Sequence, residues 1–328
     1  MMPVVTSKTE AKKIMDAAVS KGVSLAIFCT ASHWNTEAVL IAADRVAKRY
    51  SIQDIPVVVA MTFKYKYMQQ SARILRCGDP VSGFLSVMEH LKILCGGGKS
   101  PYSNVTVLPH LDHCDPEEDR WALTEGAPHV ASVMFDAQKY PYEENICRTK
   151  EYVDTYGKDV LVEGIIEELN VNESVKKNKK QSHDDNYIGR ALEYIKHTGV
   201  DFLVADLGTE QQSSATGRTV YNRERARTLT KQLGRPMLVL HGTSCLDNSE
   251  IAGLSGDGVV RVNMWTRIAR EAGQEAAERV LERLDRIRMG DFEACESKQY
   301  LYDSIDKAAE IMVGIMELLG YSKLAGTN

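Results

Sequence analysis

The sequence lacks the marks of a membrane, secreted or nucleic-acid-binding protein. Its 328 residues contain no apolar run of about eighteen residues, the length a membrane-spanning helix needs. The N-terminal stretch has no apolar core of the kind found in secretory signals. Seven scattered cysteines without a CxxC pair argue against a disulfide framework or zinc ribbon. A net charge of −5 gives a nucleic acid no electrostatic support. We therefore expect a cytoplasmic protein with no nucleic-acid or membrane partner.

Eight short, valine-rich apolar segments alternate with helical patterns, and this alternation predicts the fold. The segments are Ser24–Cys29, Pro56–Met61, Val105–Leu111, Val130–Phe135, Val160–Ile166, Phe202–Gly208, Met237–Gly242 and Gly258–Asn263. Continuous apolar runs are typical of strands that are buried on both faces, and their alternation with helices favours a parallel sheet. Eight such units in this length favour an α/β fold, a single (β/α)8 TIM barrel. The alternative is an open doubly wound sheet, but no GxGxxG follows the first strand.

Helical patterns flank and follow the barrel segments. A capping box formed by Ser7 and Glu10 is expected to start the first helix, and Gly22 to end it. Two amphipathic patterns, about Arg267–Arg288 and Ser304–Leu319, finish the chain. We expect one domain over residues 1–328, with the barrel at about 4–276 and extra C-terminal helices at about 277–328. The apolar face of the last helix is expected to pack on the barrel or on a partner.

Polar side chains follow the predicted strands at the end where a barrel carries its active site. They are His110, Asp112 and His113 after the third strand, Asp136 after the fourth, Glu163, Glu167 and Glu168 on or after the fifth, Glu210 and Gln211 after the sixth, and His241 after the seventh. Neutral imidazole together with carboxylate suits zinc and similar cations. One such histidine alone is more often a buried, hydrogen-bonded side chain. The coincidence of His113 and His241 at strand ends favours a metal site.

The segments after the last two strands read HGTS and NMWT, and loops in these positions commonly bind phosphate in TIM barrels. Gly242 lets the backbone approach a ligand closely, while Ser244, Asn263 and Thr266 offer hydrogen-bond donors. Free N–H groups at a helix start also favour an anion. Ordinary helix capping by the same residues is the alternative interpretation.

Three other kinds of site are disfavoured. Covalent amine catalysis needs a lysine at a strand end, but the sixth strand has none there and the eighth carries Arg261. The CGGGKS segment is not a P-loop, because Ile93 stands where the motif requires glycine. The basic KKNKK segment is typical of a solvated loop, with a lid over a phosphorylated substrate as the alternative. Electrophilic catalysis by a metal ion is therefore favoured over covalent catalysis by a lysine amine.

Four segments together resemble one known family. HLDH, SVMFDAQKYPYEENICRTKEYVDTYGKDVLVEG, LVLHGTS and GVVRVNMWT resemble class II, metal-dependent fructose/tagatose-bisphosphate aldolases in order and spacing, from about Val4 to Ala276. The resemblance implies that Asp112 moves a proton at the aldol hydroxyl. It implies that His113 and His241 bind the metal and that Asp136 lies near an alternative metal position. The substrate phosphate is then expected at Gly242, Ser244, Asn263 and Thr266.

The sequence departs from that family around the third metal ligand. The family's histidine in GTxHG is replaced here by Gln211 within GTEQQ, and the following glycine of the phosphate site by Gln212. Gln211, Glu210 or water then completes the metal site. Trp265 fills a usually small or acidic position near the substrate. Zn²⁺ is expected, with Mn²⁺, Co²⁺ or Mg²⁺ as alternatives, because amide and carboxylate oxygens suit harder cations.

These features predict a divergent class II aldolase-like lyase or synthase. It is expected to cleave or form a ketose phosphate from a dihydroxyacetone-phosphate-type donor and an aldehyde. One alternative is a non-catalytic partner subunit or sugar-phosphate-binding protein, since one ligand is missing. The other is an isomerase or epimerase that uses the same enediolate chemistry. The resemblance also implies a phosphorylated sugar or aldehyde as the small-molecule partner, and a homo-oligomer, dimer or tetramer.

Overall fold

A computed structural model describes residues 3–167, 186–211 and 220–326 of the chain. Within these ranges eight parallel strands close into a barrel in chain order. The strands are β1 (Leu25–Cys29), β2 (Ile55–Thr62), β3 (Val105–Cys114), β4 (Ser132–Phe135), β5 (Leu161–Ile165), β6 (Phe202–Val204), β7 (Leu238–Leu240) and β8 (Val259–Met264). β1 pairs with both β2 and β8, which closes the ring. The predicted TIM barrel is confirmed.

Every residue of the eight strands is buried, which explains their continuous apolar composition. One side of each strand faces the barrel interior and the other faces the surrounding helices. The structure departs from the predicted bounds in β3, which continues beyond Leu111 to Cys114, and in β6, which ends at Val204 and not at Gly208. Asp112 and His113 interrupt the apolar run of β3 in the sequence, so the run alone did not predict this part of the strand.

The helices surround the barrel, and several of them begin or end at residues other than those predicted. They are α1 (Lys8–Ser20), α2 (His33–Tyr50), α3 (Gln70–Ile74), α4 (Pro80–Cys95), α5 (Arg120–Leu123), α6 (Tyr142–Tyr156), α7 (Tyr187–Thr198), α8 (Arg223–Leu233), α9 (Asn248–Gly253), α10 (Thr266–Glu282), α11 (Leu284–Arg288), α12 (Phe292–Cys295) and α13 (Ser297–Leu318). The expected capping box at Ser7 is wrong, because the Ser7 side chain makes no capping hydrogen bond. In the described residues no helix combines the length and apolarity needed to cross a membrane.

The C-terminal helices pack on the barrel. α13 lies against α10 and α2, and its residues Met312, Ile315 and Met316 are buried there. After α13, the hydroxyl of Tyr321 accepts a hydrogen bond from the Ala26 amide in β1, at 3.1 Å. The expected boundary near residue 276 falls inside α10, so no break in the chain separates the barrel from its extension.

Gly258, directly before β8, gives a test of how α8 packs against the barrel. Its φ is 90°, and a Cβ there would lie 1.9 Å from Oγ1 of Thr230 in α8. We expect Gly258→Ala to lower the free energy of unfolding by about 1–3 kcal/mol, because it adds left-handed strain and a clash. Chemical denaturation measures this loss. Gly256→Ala is the control, since its Cβ would meet no atom within 4 Å. An equal loss in both variants would show that strain and a clash specific to Gly258 are not the cause.

Candidate active site and metal-binding group

A bulge in β3 brings two neighbouring side chains to the same place. The register with β4 shifts between Leu111 and Cys114, and His113 has a φ of 48°. Adjacent side chains of a regular strand point to opposite faces, so Asp112 and His113 would otherwise be separated. A bulge re-aims a side chain, and left-handed backbone at a non-glycine residue is strain that concentrates at functional sites.

The result is a compact group of three side chains at the carboxyl end of the barrel. One ligand atom from each of Asp112, His113 and His241 lies within 4.8 Å of the other two. All three residues are at least 96% buried. Nε2 of His241 and Oδ1 of Asp112 are buried without a hydrogen-bond partner. Unsatisfied buried polar atoms are rare in proteins, so these two point to a ligand. No other such group of histidine, cysteine or acidic residues occurs in the described part of the chain.

Asp136 holds the imidazole of His113 in place. Its Oδ2 accepts a hydrogen bond from Nδ1 of His113 at 2.7 Å, and Gln138 donates to the same oxygen at 2.8 Å. A carboxylate on Nδ1 selects the tautomer whose Nε2 carries a free lone pair, as is usual behind metal-binding histidines. Asp136 therefore lies behind His113 and outside the three-residue group.

The residues after β6 differ in how they face this group. Nε2 of Gln211 lies 3.4 Å from Nε2 of His113, and Gln211 lines the same cavity. Glu210 presents its backbone to Gly242 and does not line the cavity. Of the two candidate third ligands, Gln211 thus has the suitable position. Gln212, Glu168 and the KKNKK segment lie outside the described residues.

The turns after β7 and β8 also line the cavity. Gly242 has a φ of 69° and begins a short 3₁₀ turn that contains Ser244. α10 starts at Thr266, and the preceding Trp265 provides no side-chain cap for its first N–H groups. Uncapped N–H groups at the start of a long helix are suited to an anion. Gly242, Ser244, Trp265 and Thr266 all line the cavity.

Asn263 has a different principal contact from the expected one. Its side-chain amide donates to Oδ2 of Asp112 at 2.9 Å, and the Cys29 thiol lies 3.7 Å from the same oxygen. Asn263 also lines the cavity, but its amide is engaged in fixing the carboxylate. Oδ1 of Asp112 is left as the free oxygen.

Charge interactions set the protonation of the group. Burial raises the pKa of Asp112, but His113, His241 and His110 outweigh it and lower the pKa to about 2. Burial lowers the pKa of His241 to about 4. At neutral pH the site therefore presents an ionised carboxylate and, at His241, a neutral imidazole. Neutral imidazole is the form that binds a metal.

Beneath this group, a charged pair lies in the barrel interior. Arg261 of β8 and Glu163 of β5 form a salt bridge, and both are essentially inaccessible to solvent. Arg261 also donates to Oγ of Ser132 at 3.1 Å, and Nδ1 of His110 lies 2.8 Å from that oxygen. His110 therefore belongs to the interior network. Sequence reasoning noted both charged residues within apolar strands but did not predict their pairing.

Sequence reasoning missed Tyr65 entirely. Its ring stacks on the His113 imidazole with a centroid distance of 4.2 Å and an interplanar angle of 8°. Its hydroxyl donates to Oε1 of Gln211 at 3.3 Å. Tyr65 lies in the connection between β2 and α3, before the α3 N-cap residue Gln69, and not at a strand end. No apolar period or motif marks this position.

Comparison with known proteins finds likenesses to aldolases in both sequence and fold. The profile of the family described as fructose-bisphosphate aldolase class-II matches residues 9–323. A fructose-bisphosphate aldolase from Giardia intestinalis is 30% identical over 183 residues, which is 53% of this chain and 53% of that protein. The chain thus aligns with about half the length of this curated relative.

Solved structures share the fold over nearly the whole chain. The fructose-bisphosphate aldolase of Campylobacter jejuni superposes with a TM-score of 0.74 at 18% identity, covering 97% of this chain and 96% of that one. The YdjI aldolase of Escherichia coli K12 gives a TM-score of 0.64 at 18% identity, covering 98% and 100%. At such identities the likeness establishes the common barrel.

The buried pair provides a test of the interior. Arg261→Met leaves the Glu163 carboxylate buried without its cation, so we expect the free energy of unfolding to fall by about 3–5 kcal/mol. Denaturant unfolding at pH 8 measures the loss. The double variant Arg261→Met/Glu163→Leu is expected to recover at least half of it, since no buried charge is then left unpaired. A double variant as unstable as the single one would refute this explanation.

Proposed function

Because this chain belongs to the class II fructose-bisphosphate aldolase family, we propose that it is a metal-dependent carbon–carbon lyase acting on a phosphorylated ketose. The observation that carries the proposal is the grouping of Asp112, His113 and His241, with unpartnered atoms, in one cavity with the turns after β7 and β8. The substrate class is a ketose phosphate made from a dihydroxyacetone-phosphate-type donor and an aldehyde.

The residues present fit a divalent metal. His113 has its Nε2 lone pair free of the Asp136 contact, and Nε2 of His241 is buried without a partner. These two imidazoles would hold the ion, with the amide of Gln211 in the place of a third. Zn²⁺ is the first candidate, and Mn²⁺, Co²⁺ or Mg²⁺ follow because an amide oxygen is a harder ligand. When bound, such an ion supplies electrophilic polarisation of the substrate carbonyl.

Asp112 is the proposed proton carrier. Asn263 and Cys29 fix its Oδ2, and the unpartnered Oδ1 is left to face a substrate hydroxyl. In the cleavage direction the carboxylate accepts the hydroxyl proton as the C–C bond breaks and the aldehyde carbonyl forms, and the bonding electrons remain on the donor fragment as an enediolate. In the synthetic direction it returns that proton to the new alkoxide. This is general acid–base catalysis by one positioned side chain.

The phosphate is proposed to bind between the two turns. Gly242 permits close approach of the backbone, and Ser244 supplies a hydroxyl beside it. The first N–H groups of α10, which starts at Thr266, complete the anion site. Trp265 and Arg267 line the same cavity and would limit the shape of the donor. We also propose that the barrel and its C-terminal helices act as one domain, and that the enzyme is a homo-oligomer.

Deuterium exchange separates this proposal from its alternatives. The metal-loaded protein is incubated with dihydroxyacetone phosphate in D₂O, with and without a panel of short aldehydes, and followed by proton NMR. We expect exchange at the carbon next to the carbonyl and aldol products when an aldehyde is present. Exchange that yields only isomerised or epimerised sugar would favour an isomerase or epimerase. No exchange and no product would favour a non-catalytic binding protein.

Removal of either histidine tests the metal site. We expect His113→Ala and His241→Ala each to lower the bound metal to well below one ion per chain, because each loses an imidazole ligand. Elemental mass spectrometry of the purified variants measures the content. His197→Ala, at an exposed position of α7, is the control and should keep the wild-type value. Unchanged metal content in both site variants would rule the site out.

Substitution of the carboxylate tests the proton carrier. Asp112→Asn keeps the shape of the side chain but removes its charge and its ability to accept a proton. We expect turnover to fall by about 10²–10⁴-fold, with metal content and the far-UV circular dichroism spectrum retained. Steady-state kinetics of aldol cleavage provide the measurement. A variant with wild-type turnover would show that another group carries the proton.

A further inference from the structure

Tyr65 contacts two of the three proposed metal ligands, His113 and Gln211, through different parts of its side chain. Its ring lies parallel to the imidazole of His113 at 4.2 Å, which is close to the lower limit for stacked aromatic rings. Its hydroxyl donates to Oε1 of Gln211 at 3.3 Å. Tyr67 packs edge-on against the Tyr65 ring with centroids 5.3 Å apart. The Tyr65 ring thus has His113 and Tyr67 as aromatic neighbours.

The direction of the hydrogen bonds around Gln211 follows from Asp136. Because Asp136 accepts from Nδ1 of His113, the neutral form of that ring has its acceptor at Nε2. The amide nitrogen of Gln211, 3.4 Å away, is oriented to donate to it. The amide oxygen then faces the Tyr65 hydroxyl. In this arrangement Gln211 offers hydrogen to the nitrogen that is proposed to bind the metal.

A cation at Nε2 of His113 requires the reverse orientation. The amide of Gln211 can approach a cation only through its oxygen, since its N–H groups carry partial positive charge. A rotation of the amide by half a turn exchanges its oxygen and nitrogen with little other movement, because the two ends are nearly the same size. The amide nitrogen would then face Tyr65 as a donor.

We propose that Tyr65 is a positioning residue that allows Gln211 to take the place of a third histidine. A phenolic hydroxyl both donates and accepts, so it can partner either orientation of the amide. It donates to the oxygen in the arrangement observed and accepts from the nitrogen when the oxygen faces the metal. The stacked ring keeps the His113 imidazole in register with the amide. This inference rests on the proposed metal site.

Tyr65→Phe tests the inference, because it keeps the stacked ring and removes only the hydroxyl. We expect zinc affinity, measured by competition with a chromophoric chelator, to weaken about 3- to 10-fold. The visible absorption bands of the cobalt-substituted protein are expected to change as well, since they report the ligand geometry directly. Tyr67→Phe is the matched control. It retains the ring that contacts Tyr65, so affinity and spectrum should match the wild type.

Gln211→His provides the second arm. An imidazole at this position is expected to strengthen zinc binding, and it does not need a partner that stabilises two amide orientations. In the Gln211→His background, adding Tyr65→Phe should therefore change zinc affinity by less than about twofold. Thermal unfolding of each metal-free variant confirms that the fold is retained.

The outcomes separate this inference from the proposed function. If the wild type binds no divalent metal, the proposed metal site and the inference are both wrong. If the wild type binds one ion, and Tyr65→Phe binds it equally well with an unchanged cobalt spectrum, only the role of Tyr65 is overturned. An equal loss of affinity on adding Tyr65→Phe to the wild type and to the Gln211→His variant would also overturn it, because the hydroxyl would then act independently of the amide.

Discussion

The bulge in β3 is the constraint on which the site depends. Without the register shift before Cys114, the side chains of Asp112 and His113 would point to opposite faces of the strand. The left-handed backbone of His113 is the cost of bringing both to the barrel mouth. The short hydrogen bond from Nδ1 to Asp136 fixes that ring and stabilises the arrangement. The proposed ligand and the proposed proton carrier are thus set by one local distortion.

Buried charge organises the layers below and around this point. The Arg261–Glu163 pair lies next to His110 in the barrel interior, where most TIM barrels place branched apolar side chains. Above it, burial raises the pKa of Asp112, but the neighbouring His113 and the hydrogen bond from Asn263 help to lower it to about 2, so the buried carboxylate is ionised at neutral pH. Burial keeps His241 neutral. The same low-dielectric environment therefore provides an anionic base and a neutral ligand side by side, which is the combination that proton transfer next to a metal requires.

The barrel was predictable because strands that are buried on both faces have continuous apolar segments, and eight such segments alternate with helical patterns along the chain. Asp112, His113 and His241 were predictable because polar residues at strand ends converge in a closed barrel. The bulge was not predictable, since nothing in HLDH distinguishes a regular strand from a shifted one. Tyr65 lies in an irregular connection, and its stacking depends on a contact with the distant His113. The engagement of Asn263 with Asp112 likewise follows from three-dimensional position, so sequence reasoning assigned it only to phosphate.

In the proposed site two histidines and no sulfur hold one divalent ion beside Asp112. X-ray absorption spectroscopy of the zinc-loaded protein tests it most directly, because the fine structure counts imidazole ligands and detects sulfur. We expect two imidazoles at about 2.0–2.1 Å, with oxygen ligands completing the shell. Three imidazoles, which would bring His110 to the metal, or a sulfur ligand at about 2.3 Å, which would bring Cys29, would contradict it.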